Sequence, residues 1–268
     1  MKKIQRDQLY DQAKAWVLEA GKNIREKMTG TFEIASKSNP NDLVTEIDKN
    51  TEEFFVQRIK ETFPNHGIIG EEGYGDKLTS LDGIVWIIDP IDGTMNFVHQ
   101  KRNFAISVGI YKDGVGEIGI IYDVMANNLY HAKRSEGAYK NARKLAPLKM
   151  NPIFSEAIIG MNHFWLCENR HVDEKVMQQF VRTIRGARTY GSAALEFAFL
   201  AEGIIDGYIS MKLSPWDIAA GKVIAEEVGG LVTTIDGEEL TMLDKSTVLA
   251  CNRQLHHDIA SFIKKGRK

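Results

Sequence analysis

Two cysteines, six prolines and the lack of any long apolar run set the first limits on this chain of 268 residues. Cys167 and Cys251 form no CxxC pair and sit at no metal-ligand spacing. A disulfide framework and a thiolate metal site are therefore set aside, and both are expected as reduced thiols. No stretch approaches the roughly 20 apolar residues that a membrane span requires. The opening MKKIQRDQLY is charged and has no apolar core, so no secretory signal is expected and the reading is a soluble, cytoplasmic protein. Excess charge of one sign is missing as well: 34 basic against 36 acidic residues leave −2, with no basic tail or stripe. Nucleic acid and anionic membrane are therefore poor partners. An anionic substrate must be attracted by something other than surplus lysine and arginine.

What is present is an ordinary globular composition, 43% hydrophobic, enough for one large domain or two closely packed halves. Residues 4–29 place Leu9, Ala13, Trp16, Val17, Ala20 and Ile24 on one helical face. A turn-rich stretch at 38–42 precedes a second helix expected over 46–62. Ile84 to Ile88 is a continuous apolar run, as expected of a strand buried on both faces. Residues 104–111 and 115–122 read as strands joined in a hairpin through Lys112-Asp113-Gly114. Later, helices are expected at 172–184, 192–202 and 216–228, strands at 157–161, 205–211, 231–235 and 247–251, and a closing helix near 253–265. The pattern implies a mixed α/β protein of stacked layers. Its N-terminal half, 1–148, has a mostly antiparallel sheet, and its C-terminal α/β half, 149–268, is divided from it by no flexible linker.

Two glycine motifs mislead. Gly114 to Gly119 satisfies GxGxxG, yet it overlaps the hairpin, whereas the dinucleotide fingerprint needs a strand-to-helix turn whose free N–H groups hold pyrophosphate. Gly70 to Gly75 starts like a phosphate-binding P-loop, but Asp76 stands where that motif needs lysine.

The strongest chemical signal is Asp89-Pro90-Ile91-Asp92-Gly93-Thr94, directly after the buried run. Pro90 restricts the backbone, so two carboxylates need little further ordering to face one point, where their repulsion calls for a cation; hard oxygen ligands suit Mg²⁺. Gly93 permits close backbone approach, and the N–H groups of Gly93 and Thr94 are candidates to hold a phosphate oxygen. Taken alone, the same residues also describe a simple surface turn. Further acids stand at Glu71-Glu72, at Asp48 in Thr45-Glu46-Ile47-Asp48, and at Asp217 in Ser214-Pro215-Trp216-Asp217, where ordinary helix capping is the competing explanation.

Together, Gly70-Glu71-Glu72, the 89–94 run with Asn96-Phe97-Val98-His99, Trp216-Asp217-Ile218-Ala219-Ala220-Gly221, and the segment from Lys37-Ser38 through Asp42-Leu43-Val44-Thr45 to Asp48 resemble the signatures of the inositol monophosphatase family, in the right order. The resemblance implies a layered αβαβα fold and a lithium-sensitive, Mg²⁺-dependent phosphatase acting on a small soluble phosphate monoester, commonly as a homodimer. By the same resemblance Glu71, Asp89 and the Ile91 carbonyl bind one metal, and Asp89, Asp92 and Asp217 bind a second. A third is expected near Glu71, with a mobile loop at 30–42 over the metals. Glu71 and Thr94 orient a water that one cation has acidified, Asp48 accepts from the Thr94 hydroxyl, and Gly93 and Thr94 contact phosphate.

The pocket for the alcohol departs from the family pattern. Gly191-Ser192-Ala193 matches the region that contacts the inositol ring, and Asp92 is also expected to touch substrate. Ser210, however, falls where animal members carry a glutamate, and Lys212 is close by. Losing an acid there is expected to relax polyol selection. Inositol 1-phosphate stays the first candidate, with NADP(H), fructose 1,6-bisphosphate and 3′-phosphoadenosine 5′-phosphate as alternatives. A catalytically silent, metal-binding regulatory protein is the alternative of another class; the intact Glu71, Asp48 and Thr94 argue against it.

Overall fold

The computed structural model describes residues 1–30, 33–36 and 43–268. Residues 37–42 of the family-like N-terminal segment, and with them much of the loop expected over the metals, lie outside the described residues.

In chain order the elements are α1 (Lys3–Lys27), β1 (Ile34–Ser36), β2 (Leu43–Thr45), α2 (Glu46–Thr62), β3 (Gly67–Gly70), β4 (Ile84–Asp92), α3 (Thr94–Gln100), β5 (Ala105–Lys112), β6 (Val115–Asp123), β7 (Asn128–Lys133), β8 (Ala138–Lys140) and β9 (Arg143–Lys144). Then come β10 (Ile158–Met161), α4 (Glu174–Thr183), β11 (Gly186–Arg188), α5 (Ala193–Glu202), β12 (Gly207–Leu213), α6 (Pro215–Glu227), β13 (Gly230–Thr233), β14 (Ser246–Asn252) and α7 (Arg253–Ile263). One sheet runs β3-β4-β5-β6-β7-β8-β9, antiparallel except for the β3/β4 pair. The other runs β11-β10-β12-β14-β13, with β10 parallel to both neighbours.

Alternation along the strands sorts side chains into three cores and so into five layers. Trp86 and Ile88 of β4 face Trp16, Ile24, Phe55 and Ile59 of α1 and α2. Val85 and Ile87, on the opposite face of the same strand, join the core shared by α5, α6 and the inner face of the second sheet. The outer face of that sheet, including Ile159, Ile209 and Leu249, packs on Met177, Phe180, Leu255 and Ile259 of α4 and α7. The order is αβαβα.

Two details position the site. β4 does not end at Ile88: it continues through Pro90 to Asp92, with its register against β5 shifting between Asp89 and Asp92. Proline, which has no N–H to donate, is tolerated at such an irregularity, and the Ile91 N–H bonds instead to Asp89 Oδ1 at 3.0 Å. The second is the seat of α6. A Cβ on Gly119 of β6 would come 2.4 Å from the Ala220 carbonyl oxygen, so the bare glycine lets α6 lie flat on the first sheet. The GxGxxG run is thus a helix seat within a hairpin, and no dinucleotide turn.

Candidate active site

Asp89 and Asp92 stand at the end of β4, both buried, and Asp217 in the first turn of α6 meets them. One carboxylate oxygen from each lies within 4.8 Å of the others. Burial, and after it the charges of Glu71, Asp92 and Asp217, hold the Asp89 carboxyl far above its ordinary range. Burial likewise raises Asp217 strongly, aided by Asp92, and pushes Asp92 up to about 6 against the opposing pull of its hydrogen bonds. Three converging oxygen-only donors of like charge, two buried and Asp217 half-buried, are the set that a hard divalent cation satisfies. The capping explanation for Asp217 also holds, since its Oδ2 accepts from the Ser214 N–H at 2.7 Å. Capping and convergence coexist in one side chain.

Each carboxylate is held by a neighbouring element. Asp92 Oδ2 accepts from the Ser192 hydroxyl and, at 2.6 Å, from the Ala194 N–H, so the first turn of α5 fixes it. Glu71 follows β3, half-buried and in hydrogen-bonding reach of Asp89. The loop that carries it is gripped by Glu52 of α2, whose two oxygens accept from the Glu72 N–H at 2.7 Å and the Tyr74 N–H at 2.9 Å. Sequence reasoning missed Glu52. Its signal was an acid on the buried face of α2, four residues after Asp48 and three before Phe55.

Asp48 caps its own helix: Thr45 and Asp48 form a capping box, with the Thr45 N–H 2.9 Å from Asp48 Oδ2. Its other oxygen, Oδ1, lies 3.2 Å from the Thr94 hydroxyl, which is also 3.1 Å from the Ile91 carbonyl. The hydroxyl has one proton for these two acceptors. Anything that occupies the Ile91 carbonyl leaves Asp48 as the partner. Burial pushes the Asp48 carboxyl up to about 6.

Gly93 links β4 to α3 at φ 95°, a left-handed conformation, and a Cβ there would lie 3.1 Å from the Gly191 carbonyl oxygen. The backbone angle calls for glycine, and the space for a side chain there is tight. Its neighbour Thr94 opens α3, ahead of the first intrahelical bond, where backbone N–H groups have no helical acceptor. Asn96 ties this turn to the loop before α5, its amide donating to the Tyr190 carbonyl at 2.7 Å and the Asn103 carbonyl at 2.8 Å.

The remaining expected residues share one cavity of about 210 Å³, whose lining includes Asp92, Asp217, Gly191, Ser192, Ala193 and Ser210. Lys212 lines it as well. The Ser210 hydroxyl is 3.4 Å from both the N–H and the carbonyl of Lys212, at an irregularity of β12. Glu196 also lines the cavity; its Oε1 accepts from the Tyr190 N–H at 2.9 Å and braces the loop that leads into α5. It too was missed, although an acid inside the apolar run Ala193 to Ala201 was a visible signal.

A family model described as the inositol monophosphatase family matches residues 5–267. The chain belongs to that family. It is a phosphomonoesterase of a metal-dependent class. Among its relatives, the inositol-1-monophosphatase of Bacillus subtilis (strain 168) is 58% identical over 247 residues, covering 92% of this chain and 93% of that protein. The solved structure of SaIMPase-II with 2′AMP bound has a TM-score of 0.88 at 43% identity, covering 96% of this chain and 95% of the other. An IMPase/NADP phosphatase complexed with Mg²⁺ and phosphate has a TM-score of 0.90 at 26% identity, covering 98% of this chain and 99% of the other. Among the described residues, no helix is long and apolar enough to cross a membrane.

Proposed function

We propose that the chain hydrolyses inositol 1-phosphate with Mg²⁺ held by Asp89, Asp92 and Asp217, and by Glu71 and the Ile91 carbonyl beside them. The observation that carries this reading is the convergence of three carboxylates, two buried and one half-buried, next to the Asp48–Thr94 pair. When bound there, two or three Mg²⁺ ions supply the positive charge that an anionic ester needs and acidify water.

The protein's own groups do the rest. The Gly93 and Thr94 N–H groups hold a phosphate oxygen at the start of α3. With its proton on Asp48, the Thr94 hydroxyl offers a lone pair to the attacking water, and Glu71 takes a second hydrogen bond from it. The water is thereby aimed in line at phosphorus. As the water oxygen bonds to phosphorus the ester P–O bond breaks, and the departing alkoxide, leaving toward Asp217 and the cavity of Ser210 and Lys212, is protonated by a water near Asp217. Lithium sensitivity, a homodimer and a cytoplasmic location belong to this proposal through the family resemblance.

A second reading has its own observation. Ser210 and Lys212 line the alcohol cavity, so a substrate with more anionic character, such as the 2′-phosphate of NADP(H) or fructose 1,6-bisphosphate, meets no acid at position 210. The relatives with bound 2′AMP and with an NADP phosphatase name support that breadth. The test is phosphate release in Mg²⁺ from inositol 1-phosphate, NADP, fructose 1,6-bisphosphate and 3′-phosphoadenosine 5′-phosphate. Inositol 1-phosphate well ahead in kcat/KM supports the first reading. NADP or a bisphosphate level or ahead replaces it with the second.

A further inference from the structure

Asn96 is not among the residues that line the cavity beside Asp92 and Asp217, yet it is only 6% exposed and its side chain is fully engaged. Its Nδ2 donates to the Tyr190 carbonyl at 2.7 Å and to the Asn103 carbonyl at 2.8 Å, while Oδ1 accepts from the Gln100 amide at 3.0 Å. The two carbonyls fix which way the amide is turned, since the reverse would set Oδ1 against both. Gly191, at φ 78°, leaves the room: a Cβ there would lie 3.0 Å from Asn96 Nδ2.

The bond to Tyr190 closes a ring. Asp92 leads through Gly93 and Thr94 to Asn96, and Asn96 holds Tyr190. Tyr190 leads through Gly191 to Ser192, whose hydroxyl donates back to Asp92 Oδ2. The ring joins the end of β4, in the first sheet, to the loop between β11 and α5, where β11 is an edge of the second sheet. Tyr190 is held at both of its backbone groups, the carbonyl by Asn96 and the N–H by Glu196 Oε1 at 2.9 Å. The Glu196 bond stays on the α5 side, whereas the Asn96 bond crosses to it from α3.

We propose that Asn96 is a positioning residue for the reaction: through Tyr190 it sets the Ser192 hydroxyl and the Ala194 N–H against Asp92, and so holds that carboxylate where Mg²⁺ needs it. From its place in the first turn of α3, the same side chain steadies Gly93 and Thr94. Mg²⁺ demands near-ideal octahedral geometry at short oxygen distances, so a loosened Asp92 binds it less well. Residues that orient metal ligands without touching the metal typically cost about ten- to a hundredfold in affinity or activity when changed. The inference rests on the phosphatase reading and adds to it a residue outside the carboxylate pattern.

The test measures Mg²⁺ affinity by calorimetry beside turnover of inositol 1-phosphate. Asn96→Asp keeps the size and turns an oxygen toward the Tyr190 and Asn103 carbonyls; Asn96→Ser shortens the side chain without adding charge. Gln100→Ala removes only the donor to Oδ1 and leaves the Tyr190 bond. Both Asn96 variants are expected to weaken Mg²⁺ binding about tenfold and to lower kcat at saturating Mg²⁺ about tenfold, with KM within about threefold. Gln100→Ala is expected to stay within about twofold of wild type in all three. A folded Asn96 variant that binds Mg²⁺ as wild type does overturns the proposal, because a merely structural role lowers the active fraction and leaves the affinity alone. A loss in Gln100→Ala equal to that in Asn96→Asp overturns it too, since the effect then belongs to α3 at large. Loss of the fold in both Asn96 variants makes Asn96 a structural residue and overturns it as well. In each of these cases an active wild type keeps the phosphatase reading. A wild type that releases no phosphate sinks that reading, and the inference falls with it.

Discussion

At the end of the cavity proposed to take phosphate, the acids are tied down by backbone N–H groups or carried on a loop that is itself gripped. Asp92 is held by α5, Asp48 by its own capping box, and the Glu71 loop by both oxygens of Glu52. At the leaving-group end, the Ser210 hydroxyl lies 3.4 Å from the N–H and the carbonyl of its neighbour Lys212, and Lys212 is exposed. The difference teaches where the two properties of such an enzyme reside. Rate depends on a preorganised cluster that tolerates little movement. Selectivity depends on a few side chains that can change without disturbing it.

That contrast can be broken at several points. Asp89→Asn acts on the cluster directly and is expected to lower kcat by roughly three decades or more with the fold retained by circular dichroism. A folded variant with near-normal turnover in Mg²⁺ would remove the proposed metal role. Glu52→Ala frees the loop that carries Glu71 without touching the cluster. It is expected to lower kcat about a hundredfold, with KM less affected. An effect confined to KM would place Glu52 at the other end of the site. Ser210→Glu puts an acid back into the leaving-group end. It is expected to leave kcat for inositol 1-phosphate within about threefold and to raise KM for NADP about tenfold. Equal changes on both substrates would show that position 210 does not select.

The smallest effect is on stability. Burial raises the carboxyls of Asp48 and Asp92 to about 6 and that of Glu196 to about 7, above their values in an unfolded chain. Their contribution is therefore full below about pH 4 and is lost as pH rises through 6 to 7. For metal-free protein, Tm is expected to fall between pH 5 and pH 8. Mg²⁺ favours ionised carboxylates, so it is expected to raise Tm by several degrees at pH 8 and by less at pH 5. The same rise at both values would contradict this electrostatic account.

Much of this was legible in the sequence, for identifiable reasons. Ile84 to Ile88 announced a strand buried on both faces, and Thr45 to Asp48 announced a helix start, because local pattern suffices for each. The continuation of β4 through Pro90 was not legible, since proline reads as a turn until a sheet partner with a shifted register is known. Strands β7 to β9 escaped because they are short and mix His131, Lys133, Lys140 and Arg143 with apolar residues. The 46-residue separation between Asp48 and Thr94 carries no local signal, so their contact was expected only through the family resemblance. Glu52 and Glu196 were visible as acids in apolar settings, but what they grip depends on loops folded from elsewhere in the chain.

The most direct test of the account titrates Mg²⁺ into metal-free protein and follows heat of binding together with phosphate release from inositol 1-phosphate. The account expects no release in EDTA, binding of Mg²⁺ to the wild type, and release that rises with occupancy, with both signals lost in Asp89→Asn. Turnover that persists in EDTA, or Mg²⁺ binding unchanged in Asp89→Asn, would contradict it.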